Sequence, residues 1–126
     1  MITIIEGHYD SALAKARTLV EEVFIYVIEK KGENPSEKGD IHKLYGQVKN
    51  LYEMHQGKNV DLRINTLLSG LEKIIDSIAQ MRNEQSDSHG IGSRRLNLND
   101  YHARLFVNLA MILADFILSV ANKANK

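Results

Sequence analysis

Residues 105–121 read LFVNLAMILADFILSVA, the most hydrophobic stretch of the chain. Leu105, Phe106, Leu109, Ile112, Leu113, Phe116, Ile117 and Val120 recur at helical spacing, and Val107, Met111 and Leu118 fill the other side. A helix that is apolar nearly all round is either central to its bundle or shared with a second subunit. Asn108, Asp115 and Ser119 interrupt the run, which falls short of the roughly 20 apolar residues that a bilayer span needs. The expectation is therefore a core helix and no membrane. Asn97 or Asn99 can cap its start, and the pattern carries to about Asn122.

The same periodicity runs upstream. From Tyr9 to Lys31, Leu13, Ala16, Val20, Val23 and Val27, with Leu19, Phe24 and Ile28, form a broad apolar stripe that Asp10 or Ser11 can open and Gly32 can close. After a linker at 32–39 around the single proline, Pro35, Asp40 can cap a second helix with Ile41, Leu44, Tyr45, Val48, Leu51 and Tyr52 on one face, and Gly57 offers a stop. A third helix begins near Asn59 or Asp61 and carries Ile64, Leu67, Leu68, Leu71, Ile74, Ile75 and Ile78. Gly70 inside it suggests close approach of a neighbouring helix. No segment alternates as a strand would, so the fold class is all-α, one domain over 1–126.

Composition narrows the function. With no cysteine, a disulfide framework, a thiolate zinc site and a cysteine nucleophile are all excluded. Sixteen Lys and Arg balance sixteen Asp and Glu, which argues against indiscriminate nucleic-acid binding through a strong overall field. Met1 to Glu6 lacks the basic start and apolar length of a secretion signal, so the expected compartment is the cytosol.

The periodic pattern fails after Met81, and residues 82–99 read as a loop crowded with Asn, Ser, Asp and Gly. Loops of this length in compact domains are usually functional or disordered. Arg82, Arg94, Arg95 and Arg104, four of the six arginines, and His89 and His102 fall in or beside it, so the stretch is basic inside a neutral chain. An arginine fork suits phosphate, and an imidazole exchanges protons near neutral pH. Together they suit phosphoryl chemistry on RNA, the His moving a proton and the Arg steadying charge on phosphate oxygens. Spacing alone does not single out Arg82 and His89, since chance supplies such a pair roughly 0.7 times per chain of this composition. On spacing alone the blander reading is favoured, with Arg82 capping helical carbonyls and His89 a solvated loop residue.

The blocks Tyr9 to Glu21, Arg82-Asn83 with Ser86-Asp87-Ser88-His89-Gly90-Ile91-Gly92, and His102-Ala103-Arg104-Leu105 occur in one order over nearly the whole chain. In that order they resemble the abortive-infection C-terminal domain family of the HEPN superfamily. The resemblance implies a HEPN-like bundle of four to five helices with a long loop before the last. It also implies a metal-independent endoribonuclease, with no cofactor, in which Arg82, Asn83 and His89 are catalytic. By the same resemblance two copies share one site: one imidazole takes the ribose 2′-OH proton, its twin protonates the leaving oxygen, and a 2′,3′-cyclic phosphate end results. Arg94, Arg95, His102 and Arg104 would hold the RNA, although charged residues at helix starts and loops are common for other reasons.

Alternatives stay open: a non-catalytic dimeric module that binds RNA or a nucleotide, a toxin held by an antitoxin, or a domain that works with an N-terminal sensor module on another chain. Ile91 stands where a related HEPN group has a tyrosine, which disfavours control by nucleotidyl transfer. Asp87, His89, Asp100 and His102 lack the helical spacing of a metal site, so none is expected. Arg17 and Glu21, four apart, read as a surface ion pair or a packing feature. His8, His42 and His55 read as surface residues without a nameable partner.

Overall fold

The computed structural model describes residues 9–87 and 99–124, the stretch 81–87 as backbone only. Four helices carry them: α1 (Tyr9–Lys30), α2 (Ile41–Tyr52), α3 (Leu62–Asp87) and α4 (Asp100–Ala124), with no strand among the described residues. The start signals are in use. Asp40 accepts the Lys43 backbone N–H at 3.1 Å, and Asp61 accepts that of Arg63 at 2.8 Å. The Asn99 carbonyl takes the Ala103 N–H at 3.2 Å. The two aspartate contacts satisfy donors that a helix start leaves without an intrahelical partner, and the Asn99 carbonyl takes the first bond of the α4 ladder. Gly32 closes α1 at φ 80°, its N–H on Glu29 O (2.9 Å) and the Glu33 N–H on Ile28 O (3.3 Å). This is the paired bonding of a left-handed helix terminus, where only glycine avoids a Cβ penalty.

Three boundary or packing expectations change. The second helix stops at Tyr52, not Gly57: Glu53 adopts the left-handed conformation (φ 54°), and the Met54 N–H caps Lys49 O at 3.0 Å. The bond and burial of Met54 outweigh a left-handed cost of about 1 kcal/mol. The third helix does not end at Met81 but runs on to Asp87, so the connection to α4 is shorter than the expected 82–99 loop and Arg82 and Asn83 lie on helix. Arg82, Glu84 and Gln85 are good helix formers, and a helix already anchored by Ile75 and Ile78 extends at little cost. Gly70 is exposed, and a Cβ there would meet nothing within 4 Å, so no helix approaches it. Gly70→Ala is therefore expected to stabilise the fold by about 1 kcal/mol, read as a higher midpoint in urea unfolding.

Direction follows from cross-links. Lys30 Nζ donates to Asn122 Oδ1 at 3.0 Å, so the last turns of α1 and α4 lie together and the helices run parallel. Their contact is the most extensive in the molecule. Leu13, Ala16, Val20, Val23 and Val27 on α1, and Ala103, Val107, Ala110, Ala114, Ile117 and Ala121 on α4, are all buried. Each set alternates steps of three and four, the seam spacing of paired helices. The alanines let the two backbones lie close.

The α2 helix starts beside the middle of α1, where the Gly39 N–H donates to Glu21 Oε2 (3.1 Å), and ends where Tyr52 Oη donates to Val27 O (2.7 Å). The bonds from His42 to Asp76 (2.7 Å) and Lys49 to Glu72 (2.6 Å) show α3 running back against α2. Arg17 and Glu21 do pair, at 3.6 Å, with only about a fifth of each side chain exposed. Since Glu21 also holds Gly39, the pair ties the α1–α2 linker down and is not an open surface contact.

Tyr45 fills the space between α1 and α2, its ring 5.7 Å from that of Phe24 and Lys49 Nζ 5.3 Å above it. Its buried hydroxyl has no hydrogen-bond partner among the described residues, and burial, helped by Glu72, pushes its pKa up to about 12. Tyr45→Phe is expected to be neutral or stabilising by up to about 1–2 kcal/mol. The phenol's folded pKa lies above its unfolded value, so stability is complete below about pH 10 and falls as pH rises toward about 12. The variant's unfolding midpoint should lose less over that alkaline range.

Candidate functional site

At the level of α1 residue 21, Asp76 of α3 meets His42 of α2. From there α3 continues eleven residues to Asp87, about 16 Å at helical rise, which matches the run of α1 back to Tyr9. Three helix ends therefore share one end of the bundle: the starts of α1 and α4 and the finish of α3. The two parallel starts present partial positive charge, complemented in their first turns by Asp10 and Asp100.

The expected site residues divide by place. The backbone of Arg82 and Asn83 is helical near the end of α3, and the connection that carries His89, Arg94 and Arg95 lies outside the described residues. His102 and Arg104 are exposed on the first turn of α4, at the same end of the bundle as Arg82 and Asn83. His102 acts within its own turn. Its Nδ1 accepts the Asn99 backbone N–H at 3.4 Å, reaching back as the third residue of a capping box does, with its ring edge-on to Tyr101 at 4.4 Å. Helix capping thus accounts for His102 as fully as substrate binding does. Arg104 lies on the outward flank of α4.

Two features were not visible in the sequence. His42 has a partner after all, Asp76 at 2.7 Å, half exposed on both sides, and His55 bonds Asn50 Oδ1 at 2.7 Å. The first pair spans 34 positions, which no local pattern reveals. Beside it, a polar cleft of about 450 Å³ is lined by residues 37–42 and Ala79. Asp76, Ala79 and Asn83 follow one another at helical spacing along α3, so the cleft opens on the stripe of α3 positions that includes Asn83.

Among the described residues no three His, Cys, Asp or Glu side chains converge as a metal site would require, and the candidate ligands Asp87 and His89 are not among those side chains.

A family model described as a HEPN-like domain matches residues 2–121. Neither the curated proteins nor the solved structures contain a match.

Proposed function

Because the chain belongs to the abortive-infection C-terminal family of HEPN-like domains, we propose that it is a metal-independent endoribonuclease of phage-defence or toxin type, acting as a homodimer in the cytosol. The observation that carries this reading is the Arg82-Asn83 pair with His89 seven positions after the arginine, in a chain that matches the family over residues 2–121. The arrangement of the bundle supports it. The backbone of Arg82 and Asn83 lies near the end of one helix, and Arg104 stands near the start of another at the same end of the bundle.

In the proposed reaction His89 takes the proton of a ribose 2′-OH. That oxygen attacks the adjacent phosphorus, and the P–O5′ bond breaks. The His89 of the second copy returns a proton to the departing oxygen, leaving a 2′,3′-cyclic phosphate and a 5′-OH. Arg82 neutralises charge that builds on the non-bridging oxygens, with Asn83 orienting the phosphate. Arg94, Arg95 and Arg104 hold the RNA backbone on either side. His102 contributes chiefly by fixing the first turn of α4. An antitoxin, or a sensor module on another chain, would decide when the site is used.

Purified protein incubated with single-stranded and transfer RNA in EDTA should release fragments with cyclic phosphate ends. Equal cleavage by wild type and His89→Ala would overturn the reading. Saturable RNA binding without turnover, abolished by Arg82→Ala, would make the chain a binding module instead.

A further inference from the structure

The buried seam accounts for one side of α4, and among the described residues nothing covers the other. Tyr101, Leu105, Ile112 and Phe116 are 61%, 57%, 63% and 37% exposed, and Leu109 between them is half-buried. Leu105, Leu109, Ile112 and Phe116 again alternate steps of four and three, so α4 carries two seams about 150° apart, one used and one open. The open one matches itself in reverse. Read from either end of this seam, the order is Leu105, Leu109, Ile112, Phe116 or Phe116, Ile112, Leu109, Leu105. A two-fold axis between positions 110 and 111 sets Leu105 against Phe116 and Leu109 against Ile112.

The charges obey the same symmetry. Arg104 and Asp115, both exposed, are eleven residues apart and so fall within about 20° of each other on one flank of this seam. They lie nearly equidistant from the same axis, and a two-fold of this kind keeps that flank on one side of the pair. Each Arg104 then meets the partner copy's acidic flank. Self-complementarity of shape and charge is what a two-fold contact between identical surfaces requires.

We propose that the outer face of α4 is a self-association surface that pairs antiparallel with α4 of a second copy. In that pairing the two first turns of α4 lie about 25 Å apart along the axis, seventeen residues at helical rise. The contact therefore keeps two sites separate and is distinct from the one that would bring two His89 residues together. A chain that makes both contacts closes as a tetramer where the two two-fold axes cross at right angles.

Sedimentation of the full chain, with RNA cleavage measured on the same samples, tests the surface. Ile112→Glu should halve the mass of the assembly and leave helicity and cleavage unchanged. Arg104→Glu alone should weaken association about 10-fold, and Arg104→Glu with Asp115→Arg should restore it, a rescue that a merely structural defect would not show; these two variants are read by sedimentation only, because Arg104 also belongs to the proposed RNA-holding set. Unchanged mass in Ile112→Glu overturns the proposal, as does failure of the double swap. Loss of cleavage together with mass would show that α4 makes the site-sharing contact, overturning the separation proposed here. Co-sedimentation of wild type, but not Ile112→Glu, with phosphatidylcholine/phosphatidylglycerol vesicles would assign the face to lipid instead. A protein that self-associates through α4 but never cleaves RNA would refute the proposed function and leave this inference standing.

Discussion

Replacing His89 with alanine is expected to lower RNA cleavage in EDTA by about 10²–10⁴-fold, the range that one positioned proton donor or acceptor contributes. The loss should fall mainly on kcat, because in the proposed reaction the arginines hold the RNA and the imidazole acts only as the 2′-oxygen attacks. In a site shared by two copies the effect has a second signature. Mixing His89→Ala with Arg82→Ala protein would assemble heterodimers in which each chain supplies the group that the other lacks. If one imidazole must act from each copy, these heterodimers stay impaired. Recovery of a substantial part of the activity would show that a single His89 suffices. Secondary structure measured by circular dichroism should be unchanged in both variants.

The largest effect on stability is expected at Phe24, which is fully buried and lies against Tyr45. Phe24→Ala removes the ring from between α1 and α2 and leaves a cavity that helices on both sides cannot close, because α1 is held by its seam with α4 and α2 by the Tyr52 to Val27 bond. A loss of about 3–5 kcal/mol follows, a large part of the 5–15 kcal/mol that typical domains possess. Urea unfolding should show a much lower midpoint with little change in slope. Phe24→Leu, which keeps most of the volume, should cost much less. Equal losses for the two variants would mean that the ring's packing is not what matters there.

Signals confined to a few neighbouring residues were legible in the sequence. Asp40 and Asp61 act as capping side chains and Gly32 as a closing glycine against the first or last periodic residue, and those contacts are made within a few positions. Asn99, by contrast, opens α4 through its carbonyl while its side chain donates to Tyr101 Oη. The four helices follow from the same local pattern, but the expected α3 stripe is buried only in its later turns, at Ile75 and Ile78, with Ile64 and Leu67 exposed. Features that depend on the rest of the molecule were not legible. The α2 helix ends at Glu53 because Met54 is drawn into the core, an outcome that a search for glycines misses. Gly70 suggests close approach, but proximity is a property of the partner helix. His42 and Asp76 meet only because α3 runs back against α2. The apolar girth of α4 fits either a central or a shared helix, and only the packing shows that one seam is covered by α1 and the other by nothing described. For the candidate site, Arg82, Asn83 and His89 stand out by family resemblance. Chemistry alone singles out the basic stretch but not those three within it.

The seam that holds α1 joins it to a helix 92 positions further along the chain. Nearest-neighbour packing along the sequence, which lets many helical bundles assemble as they emerge, is therefore not the main source of order here. During synthesis at about 5–20 residues per second, α1 waits about 5–18 s with Leu13, Ala16, Val20, Val23 and Val27 uncovered before the matching part of α4 exists. Until then the turns that carry Arg82 and Asn83 have no finished bundle to stand on. A ribosome making such a chain is thus exposed to a ribonuclease of the proposed kind only after the last helix has been made and has docked, which builds a delay into the order of translation itself.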